Sequence, residues 1–149
     1  WSADKYFIGG YTVVRADSVT SSRERPLYEG ERYGNFSYHI PVAPGKYRVS
    51  LRFAETWFGR PQAIRPSGDT SAVGARIFNV FANGTALLRN FDITETAGGT
   101  GLGIEKVFQP IEPNAQGLIV LEFVPVRNYA CINAIEVSPA EPAQPPKNR

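Results

Sequence analysis

The 149-residue sequence predicts an all-β fold, an antiparallel β-sandwich. Two observations carry this. Residues 47–53 alternate strictly, with Tyr47, Val49, Leu51 and Phe53 apolar and Arg48, Ser50 and Arg52 polar. That is the period of two expected of a strand with one buried face. Elsewhere glycine and proline break the chain so often that no window offers an amphipathic helix of about ten residues or more. Short strands separated by turn signals are the pattern of a sandwich.

The elements read as follows along the chain. Glu31-Arg32-Tyr33-Gly34-Asn35 reads as a polar turn, which puts Tyr33 at the surface. Tyr38-His39-Ile40 reads as strand. The strand at 47–53 opens after Glu55 into Trp57-Phe58. Arg76 to Phe81 is apolar on both faces, as a more central strand is. Asn83-Gly84 is a hairpin signal, because both residues tolerate positive φ, and Ala86-Leu87-Leu88 is the return strand. Thr96 to Gly103 carries four glycines and reads as a flexible loop. Leu118 to Val124 is a further strong strand, and Cys131 to Val137 is the last. Phe53, Phe78 and Phe123 belong to the core. Residues 1–139 form one domain. Residues 140–149 hold Pro142, Pro145 and Pro146 with no core residue, and read as a Pro-rich linker or tail.

Composition excludes several classes of function. A net charge of +2, from 16 basic and 14 acidic residues, gives no case for nucleic acid or a membrane surface. No apolar run approaches the roughly 20 residues of a membrane span. No leader is visible, and the chain reads as a mature or excised domain. One cysteine, Cys131, permits neither an internal disulfide nor a multi-cysteine zinc site. The single histidine, His39, reads as a solvent-facing strand residue rather than a catalytic base. There is no nucleophile elbow and no phosphate-binding glycine loop. Glu55, Asp69, Asp92, Glu105 and Glu122 are scattered, so a carboxylate pair for glycoside hydrolysis stays a minor alternative. No cofactor is expected and no metal-ligating residues are assigned; sandwiches of this kind can hold a structural calcium, but no dense Asp run indicates one.

What the chain has in surplus is aromatic: nine Phe, seven Tyr and two Trp. Most of these fill a core. Trp57 and Phe58 do not fit that reading together, because successive strand side chains point to opposite faces. At least one is expected at the surface, where the Gly59 to Ala75 loop begins with Arg60 and Arg65. Glu55 continues the inward phase of Phe53, so it is expected to need a partner, usually Arg. Exposed rings beside hydrogen-bonding groups suit sugars, which present one face of C–H groups and a rim of hydroxyls.

Several motifs resemble a malectin domain. They are Leu27-Tyr28-Glu-Gly-Glu31-Arg32-Tyr33-Gly34, Phe36-Ser-Tyr38-His-Ile40-Pro41-Val42, and Gly45 through Phe53-Ala54-Glu55-Thr-Trp57-Phe58. Arg76-Ile-Phe78-Asn-Val80-Phe-Ala-Asn83-Gly84, Asn90-Phe91-Asp92-Ile93 and Ile132-Asn133-Ala134-Ile135-Glu136-Val137 continue the match. The opening Trp1-Ser-Ala-Asp4 with Gly9-Gly10 is similar to bacterial malectin-like modules, carbohydrate-binding module family 57. The resemblance implies a galactose-binding-like jelly roll with a glycan site at one loop end. It places binding aromatics at Tyr33, Trp57 and Phe58, a further tyrosine near Tyr11, and a late polar ligand at Asn128. Tryptophan at 57 and Asn128 in place of a carboxylate depart from the family pattern, as does the length of the Gly59 to Ala75 loop. The diglucose specificity of the founding lectin is therefore not carried over.

The expected function is a non-catalytic carbohydrate-binding module appended to a larger carbohydrate-active enzyme. Tyr33, Trp57, Phe58 and Tyr11 provide stacking, and Asn128, Glu55, Arg60 and Arg65 provide polar anchors. Its partners are a glucose- or galactose-containing oligo- or polysaccharide and the catalytic domain of the same polypeptide. The setting is extracellular, cell-surface or periplasmic in a bacterium, and the domain is monomeric. The alternative is a structural or protein-interaction sandwich without sugar binding.

Overall fold

The computed structural model describes residues 1–15, 19, 24–59 and 72–142. Among these, nine strands and two short helices follow one another. They are β1 (Phe7–Val14), α1 (Arg25–Glu29), β2 (Gly30–Pro41), β3 (Tyr47–Phe53), β4 (Ile77–Ala82), β5 (Thr85–Phe91), α2 (Ile93–Ala97), β6 (Ile104–Ile111), β7 (Leu118–Arg127), β8 (Ala130–Ile132) and β9 (Ala134–Pro139). One sheet runs β1-β2-β7-β4-β5, with β8 also paired to β2. The other runs β6-β3-β9. All the pairings are antiparallel, so the chain is the all-β sandwich its alternation predicts. No helix among the described residues is long and apolar enough to cross a membrane.

The core lies between the sheets. Val49, Leu51 and Phe53 point inward from β3 with no exposed surface, as do Phe78 and Val80 from β4 and Leu121 and Phe123 from β7. Phe36 stacks on Phe123 at 4.7 Å between ring centroids, and Phe53 meets Phe91 at 5.0 Å. Burying each such side chain contributes about 1.5–3 kcal/mol. β4 lies between β7 and β5, which accounts for its lack of a polar face. Asn83 and Gly84 take φ of 47° and 83° in the β4–β5 turn, the left-handed conformations their residue types tolerate.

The polar phase of β3 is covered rather than open to water. Arg52 donates from Nε to Glu24 Oε2 at 2.8 Å and pairs through Nη2 with Glu105 Oε2 at 2.7 Å. The Trp1 ring lies 5.1 Å from its guanidinium carbon.

Three expectations are corrected. Glu31 to Asn35 is not a turn but lies within β2, and Glu31 and Arg32 are buried. Both are buried in ion pairs, Glu31 with Arg15 and Arg32 with Asp4, so their polarity marks internal pairing, not exposure. Thr96 to Gly103 is not a loose loop. It begins inside α2 and is then tied down by Thr100 Oγ1 donating to Phe58 O at 3.0 Å and Gly101 N donating to Glu55 O at 2.8 Å. Cys131 to Val137 is not one strand: β8 belongs to the large sheet and β9 to the small one. The crossing residue is Asn133. Its Oδ1 accepts from Ala54 N at 2.8 Å, and its Nδ2 donates to Tyr28 O at 2.8 Å and Gly30 O at 2.9 Å.

Candidate functional site

The strand order decides which aromatics meet. Tyr11 and Tyr33 are partners in the β1–β2 register, and Tyr33 is the partner of Cys131 in the β2–β8 register. Tyr129 immediately precedes β8. The three rings therefore form a row across β1, β2 and the start of β8. Tyr11 lies 5.8 Å from Tyr33, tilted 36°, and Tyr33 lies 5.8 Å from Tyr129, tilted 56°. Tyr11 and Tyr129 are 68% and 56% exposed, with Tyr33 half-buried between them. An isolated exposed aromatic is ordinary, but a contiguous row is the mark of a contact surface.

Trp57 stands just past the end of β3, 58% exposed, while Phe58 is half-buried. The pair thus divides between surface and interior where the chain has left β3. Among the described residues Trp57 meets no ring of the tyrosine row and is linked to β2 through polar groups. The Arg15 guanidinium carbon lies 5.2 Å from the Trp57 ring centroid. Arg15 Nη1 donates to Glu31 Oε1 at 2.8 Å and to Thr56 Oγ1 at 3.0 Å. Glu31 is two residues from Tyr33, on the same phase of β2.

Beneath this surface is a buried ion pair. Glu55 and Arg76 have side chains 1% and 4% exposed. Arg76 Nε donates to Glu55 Oε1 at 2.8 Å and Nη2 to Oε2 at 3.3 Å, while Trp57 N donates to Oε2 at 3.3 Å. Arg76 Nη1 donates to Tyr129 O at 2.9 Å, and its guanidinium carbon lies 5.1 Å from the Phe58 ring centroid. Burial opposes the Arg76 charge, but Cys131, Glu55 and Glu31 outweigh it and hold the guanidinium above its ordinary value. Burial pushes the Cys131 thiol up, and Arg76, Glu31, Glu55 and Arg15 all act on it. Cys131, the register partner of Tyr33, thus sits in the field of these four charges, below the platform that the exposed rings make.

The predicted residues therefore separate. Tyr11, Tyr33 and Trp57 reach the surface, and Phe58 reaches it in part. Glu55 does not: both its oxygens are engaged inside, so it positions Trp57 and, through Arg76, Tyr129. Asn128 is exposed at φ 58°, with Nδ2 donating to Ala75 O at 2.6 Å. Arg60 and Arg65 lie outside the described residues. The sequence reading missed Tyr129, Arg15 and Glu31. Tyr129 carried one signal, its place directly after Asn128.

A cavity of about 650 Å³ lies under the N-terminal segment, and none of Tyr11, Tyr33, Trp57 and Tyr129 lines it. Leu27, Ile40 and Ile135 line it, with Asp4, Arg32 and Tyr38. Asp4 accepts from Arg32 Nε and Nη2 at 3.0 and 2.6 Å and from Tyr38 Oη at 2.7 Å. Its polar groups satisfy one another, so it reads as the sandwich seam closed by residues 1–6.

A family model described as the Malectin domain matches residues 1–135. The chain belongs to the malectin domain family. A curated relative of this malectin domain is the kinesin-like protein KIN-14E of Oryza sativa subsp. japonica, 33% identical over 140 residues. That match covers 90% of this chain but 12% of the relative. Bacteroides uniformis beta-glucuronidase 2 shares the fold with a TM-score of 0.68 at 14% identity, over 91% of this chain and 14% of that one. The ANX1 ectodomain from Arabidopsis thaliana does so with a TM-score of 0.67 at 15% identity, over 89% and 40%. The malectin domain thus spans a minor part of the longer proteins it matches.

Proposed function

We propose that this malectin domain is a non-catalytic glycan-binding module. The observation that carries the reading is the row Tyr11-Tyr33-Tyr129 with Trp57 exposed beside it. Each ring face contributes on the order of 0.5–1.5 kcal/mol beyond area burial, taking aromatic pairs as the guide. Three or four such contacts with a few hydrogen bonds give roughly micromolar to millimolar affinity. Such binding is useful when the module is tethered within a longer polypeptide, which raises effective concentration. Tyr33, Trp57, Phe58, Tyr11 and Tyr129 supply the stacking surface and Asn128 a hydrogen-bonding edge. The domain works as a monomer beside a catalytic domain in an extracellular bacterial setting, with Arg60 and Arg65 as further anchors. Calorimetry against oligosaccharides tests this with Tyr33→Ala and Trp57→Ala. Each variant is expected to weaken binding about three- to tenfold, and affinity unchanged in both removes the rings from the site.

A second reading has its own observation. The edge strand β1 exposes Phe7, Ile8 and Val14 beside Tyr11, an apolar edge suited to docking another chain. A protein ligand would be lost in Ile8→Lys and Val14→Lys and retained in Trp57→Ala. A glycan would show the reverse.

A further inference from the structure

We infer that Arg15 is the positioning residue for Trp57: it holds the exposed indole in one orientation, so that a sugar meets a ring already in place. This rests on the reading of the exposed rings as a glycan site. The argument begins from what holds each ring. Tyr11, Tyr33 and Tyr129 brace one another in a row, at 5.8 Å between neighbouring centroids. Trp57 has no ring neighbour among the described residues. It stands past the end of β3, 58% exposed, with its backbone N donating to Glu55 Oε2 at 3.3 Å. That bond fixes the main chain, not the direction of the indole. The indole itself meets the Arg15 guanidinium, whose carbon lies 5.2 Å from the ring centroid.

Arg15 is in turn held more firmly than a surface arginine. Its backbone N donates to Glu29 O at 2.9 Å. Its Nη1 donates to Glu31 Oε1 at 2.8 Å and to Thr56 Oγ1 at 3.0 Å. The side chains of Arg15 and Glu31 are 16% and 2% exposed, so the pair is largely shielded from the water and salt that weaken exposed ones. Thr56 is buried and directly precedes Trp57. Support therefore runs from the inside outward: buried Glu31 and Thr56 fix the guanidinium, and the guanidinium backs the indole. A cation over an aromatic face attracts it, and a planar guanidinium also stacks on the ring, as an ammonium does not. Glu31 lies on β2 with Tyr33, so the same pair ties Trp57 to the strand that carries the middle of the tyrosine row. A side chain ordered before the ligand arrives loses little rotamer freedom on binding. Arg15 thus acts through Trp57 without touching the sugar.

The test uses the Trp1→Phe chain, in which Trp57 is the remaining one of the two tryptophans. Time-resolved fluorescence anisotropy reads the ps–ns motion of its indole, and calorimetry with glucose and galactose trisaccharides reads binding. Arg15→Met alone would strand the buried Glu31 carboxylate, so the variant is Arg15→Met/Glu31→Gln, which removes both charges. It is expected to enlarge the fast depolarisation of Trp57 and to weaken trisaccharide binding about three- to tenfold. Arg15→Lys keeps a cation for Glu31 but not the planar fork, and is expected to restore part of both readouts. Trp57 depolarisation unchanged in the double variant overturns the inference. So does trisaccharide affinity unchanged in it, and either result leaves the glycan reading standing. Failure of the wild-type chain to bind any of the trisaccharides overturns the glycan reading, and with it the use assigned to the held indole.

Discussion

Replacing Glu55 by Gln isolates the buried pair under the platform. The substitution keeps the shape of the side chain and one acceptor oxygen, but removes the charge facing Arg76. Arg76 would then remain with its side chain 4% exposed, holding its bond to Tyr129 O without the carboxylate that pairs with it. Breaking a buried pair by removing one partner costs about 3–5 kcal/mol. Because Gln still accepts a hydrogen bond, about 3 kcal/mol is expected. For a domain of this size that lowers the melting temperature by roughly 6–12 °C. The loss should be the same at low and high salt, since buried pairs are little screened. It should also be smaller in the double variant Glu55→Gln/Arg76→Gln than the sum of the two single losses, because the double variant leaves no charge stranded. Thermal unfolding followed by circular dichroism reads all of this. A Glu55→Gln variant melting within about 2 °C of wild type would falsify the claim that the pair supports the platform.

Two further outcomes follow from other sites. Asn133→Ala removes side-chain partners from Ala54 N, Tyr28 O and Gly30 O, each a contact below 3 Å. It should cost about 3 kcal/mol in chemical denaturation, and a loss below about 1 kcal/mol would show that water replaces the amide. Tyr38 is raised above its ordinary 10.0 by burial first and then by its hydrogen bond to Asp4. The folded state favours the neutral phenol, so its contribution is complete below pH 10.0 and fades as pH rises beyond that. Ultraviolet titration should show Tyr38, and with it Tyr28, which burial also raises, ionising later than a free tyrosine. Asp4→Asn should bring the Tyr38 ionisation earlier, and an unchanged titration would remove Asp4 as a cause.

The sequence by itself determined the sandwich and several of its exposed aromatic residues. Alternation along β3, the Asn83-Gly84 turn and the inward phenylalanines are local patterns, and each of those elements formed where its pattern lay. Trp57-Phe58 was legible for the same reason, since two large rings in succession cannot share one buried face. The need of Glu55 for an arginine was legible from burial alone, but not that the arginine would be Arg76. Tertiary structure decided what depends on pairing across strands. Tyr129 joins the row because β8 pairs with β2, and that strand ends where the run from Cys131 to Val137 breaks at Asn133 and crosses between sheets. Glu31 and Arg32 looked like turn residues because their polarity was visible and their partners, Arg15 and Asp4, were distant in sequence. Strand alternation is a property of neighbours along the chain. Register and the pairing of buried charges are properties of neighbours in space, and those assembled this surface.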